Sequence, residues 1–67
     1  MGRAFIMNKE TLEQAYQWFL ERDFDVEKFG NTLCLKIWNE SLEYNDYILI
    51  ADAEVQRRAE QYNESRL

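Results

Sequence analysis

The sequence predicts an α+β domain, an antiparallel sheet with helices packed on it, in the order (β)-α-β-β-β-α. Three observations carry this. Apolar residues recur at helical spacing from about Lys9 to Arg22. The stretch FDVEKFGNTLCLKIW, Phe24 to Trp38, alternates in character on either side of Gly30-Asn31. The apolar run Tyr47-Ile48-Leu49-Ile50 is then followed by a second, thinner amphipathic segment.

Phe5, Ile6 and Met7 are enough for a short strand or an apolar arm. Asn8 then reads as a helix N-cap, because its side chain accepts a bond from an otherwise unpaired backbone N–H. Met7 and Leu12 stand at the two positions of a hydrophobic staple. Leu12, Ala15, Tyr16 and Phe19 make the apolar stripe of the first helix, flanked and widened by Trp18 and Leu20.

The next stretch is a hairpin. Gly30 occupies the first central position of a two-residue loop, where a type II′ turn needs positive φ. Counting outward pairs Phe29 with Thr32, Lys28 with Leu33, Glu27 with Cys34, Val26 with Leu35, Asp25 with Lys36 and Phe24 with Ile37. Opposed residues share a face. Phe24, Val26, Leu33, Leu35 and Ile37 are thus expected on the core face, against Leu12, Tyr16 and Phe19. Asp25, Glu27, Phe29, Thr32, Cys34, Lys36 and Trp38 are expected on the other.

Leu42 to Ile50 fits two readings. Tyr44, Tyr47, Ile48, Ala51 and Val55 also suit a helix, and periodicity does not separate the two in so short a run. The strand composition of residues 47–50 favours a third strand ending near Ala51, with Asn45-Asp46 as a bulge or turn. Asp52 then caps a last helix from about Ala53 to Asn63, whose stripe is Val55, Ala59 and Tyr62. Arg57 and Arg58 are expected on its solvent side, and so thin a stripe suits light packing on the sheet or against a second copy.

The chain of 67 residues is expected to form one domain throughout. A chain of this length buries only roughly 60% of the surface its unfolded form exposes. One cysteine excludes an internal disulfide, and the lack of histidine removes the usual zinc sites and histidine-dependent nucleophiles. No apolar run approaches the ~20 residues of a membrane span, and a reducing cytoplasm is the expected location. Ile6 stands where a myristoylation motif needs Ser or Thr. Asn39-Glu40-Ser41 and Asn63-Glu64-Ser65 are read as chance sequons.

Net charge is −5, concentrated in the middle. Asp23, Asp25, Glu27, Glu40, Glu43, Asp46, Asp52 and Glu54 are opposed between residues 23 and 54 only by Lys28 and Lys36, so the segment carries 2 − 8 = −6. This disfavours direct contact with nucleic-acid phosphates there. Asp23, Asp25 and Glu27 imitate the start of a calcium loop, but Lys28 and Cys34 fall where that loop needs glycine and glutamate. Glu27 opposite Cys34 disfavours a reactive thiolate. No metal, cofactor or catalytic residue is expected.

Ten aromatics in 67 residues are the strongest functional feature. Phe29 and Trp38 are expected on the outer hairpin face, joined by Tyr44 and Tyr47 from the third strand; the competing reading has the last helix or the Phe5-Ile6-Met7 arm cover that face. With Asp25, Glu27 and Glu43 they form the candidate protein-binding surface, aromatic anchors in a polar frame. The expected function is a non-enzymatic binder that occludes another protein, one with a basic surface. In size and charge the chain has the character of bacteriophage-encoded inhibitors of host proteins, anti-CRISPR proteins and DNA mimics included. The likeness is one of type, since no motif matches. The alternative is a self-associating accessory protein whose aromatic face is a homodimer interface. A nucleic-acid-binding regulator using the last helix is a third, weaker reading.

Overall fold

The computed structural model describes residues 8–66. The expected arm at Phe5 to Met7, and with it the staple partner of Leu12, lies outside these residues. The elements are helix α1 (Lys9–Glu21), strands β1 (Val26–Phe29), β2 (Thr32–Asn39) and β3 (Tyr44–Leu49), and helix α2 (Asp52–Glu64). The α+β class and the order helix, three strands, helix are as expected. No helix of the described residues is long and apolar enough to cross a membrane.

Asn8 begins α1 as its residue type predicts: its backbone is extended and its side chain accepts the Thr11 N–H at 2.7 Å. The helix closes at Arg22. Asp23 then takes a left-handed φ of 65°, a conformation aspartate tolerates better than most residues. The Phe24 N–H folds back onto the Phe19 carbonyl at 3.0 Å.

The hairpin has the register obtained by counting. Val26 pairs with Leu35, Glu27 with Cys34, Lys28 with Leu33 and Phe29 with Thr32. The Lys36 N–H donates to the Asp25 carbonyl at 2.8 Å, one pair further on. Gly30 has φ of +59° and Asn31 keeps a negative φ, the combination of a type II′ turn.

The third strand departs from expectation at its start. Asn45 and Asp46 are neither bulge nor turn; they pair with Trp38 and Ile37 inside β3. The chain reverses earlier, over residues 40–43. There Glu43 adopts a φ of 56° and its N–H reaches the Asn39 carbonyl at 2.8 Å. Asn39 supports the turn with its side chain, accepting the Leu42 N–H at 3.1 Å.

Asp52 does not cap α2 with its side chain. The cap residue is Ala51 and makes no side-chain bond; Asp52 is already helical. It and Glu54 instead place negative charge in the first turn, where the helix dipole favours it.

The sheet order is β1-β2-β3, and its core face carries Val26, Leu33 and Ile50. These meet Leu12, Ala15, Trp18 and Phe19 of α1 and Val55 and Ala59 of α2, with Tyr16, Leu35 and Tyr62 packed alongside. α2 lies chiefly against α1 rather than on the sheet, which corrects the expectation of a lightly packed sheet helix. α1 thus has two neighbours, and Trp18 is buried as the widened stripe implies, whereas Leu20 is 39% exposed. Arg58 is accordingly not on the solvent side: its guanidinium lies 4.4 Å from the Trp18 ring centre and pairs with Glu54 at 2.6 Å.

The helices cover one end of the sheet only. Burial along β2 falls from complete at Leu33 to partial at Leu35, and Ile37 is 45% exposed. β3 shows the matching trend, with Ile50 buried and Ile48 exposed. Two expected core residues, Ile37 and Phe24, are therefore exposed. Ile37 lies beyond the reach of the helices. Phe24 sits at the margin, its ring edge-on to Phe19 at 5.4 Å and stacked on Trp18 at 6.5 Å.

Candidate functional site: the open face of the sheet

Side chains alternate between the two faces of a strand, so the register assigns each candidate residue to a side. Asp25, Glu27 and Phe29 share one face with Thr32, Cys34, Lys36 and Trp38, and with Asn45, Tyr47 and Leu49 across β2. The helices lie on the opposite side, α1 against the sheet and α2 chiefly against α1. No described element covers this one.

Four apolar side chains stand exposed on it. Trp38 is 57% exposed and Leu49 64%, with Phe29 and Tyr47 between them near one half. Phe29 and Tyr47 touch edge to face at 5.4 Å, although their strands are separated by β2. Cys34 lies on that face midway between Thr32, the partner of Phe29, and Lys36, the partner of Tyr47. It is buried there. The Phe29–Tyr47 pair spans its position.

The polar frame is partly neutralised. Lys36 reaches the Glu27 carboxylate at 3.4 Å. That contact first, and the charge of Asp25 second, hold the Lys36 ammonium above its ordinary pKa. Asp25 remains exposed beside it. Three further acids flank β3 rather than the centre of the face. Glu40 and Glu43 precede the strand and Asp52 follows it, none in an ion pair among the described residues.

Two expected members are thus placed elsewhere. Tyr44 is three residues from Tyr47, an odd step, and belongs to the helix-side face beside Asn39. Glu43 sits in the turn. Asp46, counted within the acidic segment, is also on the helix side, where the Asn39 amide donates to it at 2.9 Å. The structure therefore brings together Asp25, Glu27, Phe29, Trp38 and Tyr47. It adds Leu49, which sequence reasoning missed although its even spacing from Tyr47 marks the same face.

In chemical terms the site is an exposed apolar strip with a charged margin, suited to contact. No group of three or more acid or cysteine side chains is placed to hold a metal ion among the described residues. No protein family, curated protein or solved structure matches the chain significantly.

Proposed function

We propose that the protein is a non-enzymatic binder that occludes a basic surface of another protein through the open sheet face. The observation that carries this is the exposure of Trp38 and Leu49 around the Phe29–Tyr47 pair on a face that no described element covers. Contiguous exposed apolar area with a polar rim is characteristic of interaction sites. Trp and Tyr are the residues that most often carry binding energy there. The acids beside the strip draw in a positive partner and speed encounter. In its finer form the reading is an inhibitor, its acids standing in for the phosphates that the partner's basic surface holds.

The test is recovery of partner from a lysate of the source cells by immobilised wild-type protein and by Trp38→Ala. The expected result is a partner retained by the wild type at low salt and lost with Trp38→Ala. Equal recovery by both proteins overturns the reading. Charge favours a foreign partner over a second copy, since no Lys or Arg occurs between Lys36 and Arg57 to meet the flanking acids.

A further inference from the structure

The outer edge of β3 is a different surface from the open face. In an antiparallel ladder the N–H and C=O of one residue point to the same neighbour, and successive residues alternate. The Ile50 N–H donates to Leu33 at 2.9 Å. Ile48, Asp46 and Tyr44 therefore also turn their backbone groups toward β2. Asn45, Tyr47 and Leu49 turn theirs outward, and all three residues are exposed. Since the sheet order is β1-β2-β3, no described strand pairs with this edge.

Edges of this kind are normally guarded by shortness, lysine, proline or a bulge. The other edge is guarded. β1 has four residues, and its Lys28 is tied to Glu13 of α1 at 2.6 Å. β3 has six residues, an unbroken register, and neither lysine nor proline; its one charge, Asp46, lies on the helix-side face and is held by the Asn39 amide. Its apolar side chains are exposed on both sides of the sheet: Tyr47 and Leu49 on one, Tyr44 and Ile48 on the other.

We infer that β3 takes an extended segment of another protein as a fourth, antiparallel strand, and that this segment is basic at both ends. The inference deepens the proposed function and rests on it, in that the partner is a basic protein. Strand addition supplies affinity through main-chain bonds and specificity through alternate side chains. The charge pattern selects the occupant. Glu40 and Glu43 stand before β3 and Asp52 after it, with no base between Lys36 and Arg57. An antiparallel pairing of β3 with a second copy sets Glu43 near the partner copy's Asp52 at each end, so like charges oppose it. A foreign strand with lysine or arginine at its ends meets an acid at each.

The probe is a short synthetic peptide of alternating valine and threonine with a lysine pair at each end. It is titrated into the full chain and followed by amide hydrogen exchange and NMR. Binding that protects the amides of Asn45, Tyr47 and Leu49 and weakens with salt is expected. The same peptide with glutamate for lysine should not bind. Asn45→Pro removes one outward N–H and leaves the β2–β3 ladder intact, since edge positions tolerate proline. It should weaken binding several-fold and up to ~tenfold, the scale of one lost hydrogen bond. Asn45→Ala should bind as wild type. A peptide N-methylated along one edge gives the same reading with the protein unaltered.

Strand addition is overturned if the lysine peptide leaves the β3 amides unprotected, if the glutamate peptide binds equally, or if N-methylation is without effect. It is also overturned if those amides are protected before any peptide is added, because residues 1–7 or a second copy then occupy the edge. Failure here is separable from failure of the proposed function. A peptide that perturbs Trp38 and Phe29 but not β3 removes the strand and keeps the open face, whereas partner recovery unaffected by Trp38→Ala removes the face.

Discussion

Phe29 and Tyr47 meet edge to face at 5.4 Å across an intervening strand, and Cys34 stands on the same face between their cross-strand partners Thr32 and Lys36. Cys34 is buried although no described element covers its face, and the ring pair spans its position. Pairs in this geometry contribute about 0.5–1.5 kcal/mol beyond the area they bury. Phe29→Ala is expected to raise the rate at which Cys34 reacts with a disulfide reagent several-fold, and Tyr47→Ala to do the same. Trp38→Ala, which removes a ring outside this pair, is expected to change it little. An unaltered rate in both Phe29→Ala and Tyr47→Ala contradicts the shielding.

Leu33 is completely buried, whereas Ile37, four residues along the same face, is 45% exposed. Leu33→Ala is expected to cost about 2–5 kcal/mol, the range for deleting a buried leucine side chain. In a domain this small that amounts to most of the available stability. Ile37→Ala should be far milder. Urea unfolding followed by tryptophan fluorescence distinguishes the two, and equal losses would show that the helices shelter Ile37 as well as Leu33.

The Lys28 ammonium donates to Glu13 at 2.6 Å, linking β1 to α1. This hydrogen bond first, and one from Gln17 second, hold the Glu13 carboxyl below the ordinary value of 4.5. The bond to Glu13 likewise holds the Lys28 ammonium above 10.5. The signs follow. A depressed acid contributes stability that is present above 4.5 and lost as pH falls through its folded value. A raised base contributes stability that is present below 10.5 and lost as pH climbs through its folded value. NMR titration should find Glu13 below 4.5 in the wild type, and Lys28→Met should move it upward while the Gln17 bond keeps part of the depression. A Glu13 titration indifferent to Lys28→Met removes the pair as its cause.

Charge and aromatic contacts should separate in the kinetics of partner binding. Asp25→Lys with Glu43→Lys reverses two exposed acids without breaking an ion pair among the described residues. It is expected to slow association and to flatten its salt dependence, because acids steer the approach of a basic partner. Trp38→Ala should mainly speed dissociation, where most interface mutations act. Association insensitive both to salt and to the double reversal would leave the acids without a part in binding.

Several features are legible in the sequence alone because they rest on contacts between near neighbours in the chain. Asn8 caps α1 through a residue three positions away, and Gly30 sets a two-residue turn from which the hairpin register follows by counting. Once the register is known, alternation assigns every side chain of the hairpin to a face, and Phe29 and Trp38 emerge together on the uncovered one. The tertiary structure decided what covers each face and how far. Phe24 and Ile37 belong to the apolar face by pattern, yet they are exposed because two helices of thirteen residues shelter only one end of the sheet. Arg58 lies against Trp18 because α2 packs on α1, a choice that neither helix's own stripe encodes. Tyr44 changed sides because β3 runs straight through Asn45-Asp46. Its start was set by the turn at residues 40–43, where Glu43 is held in a left-handed conformation by the Asn39 carbonyl and the ladder that follows. Local periodicity reports which face of an element is apolar; only the placing of whole elements against one another determines which of those faces meets a neighbour.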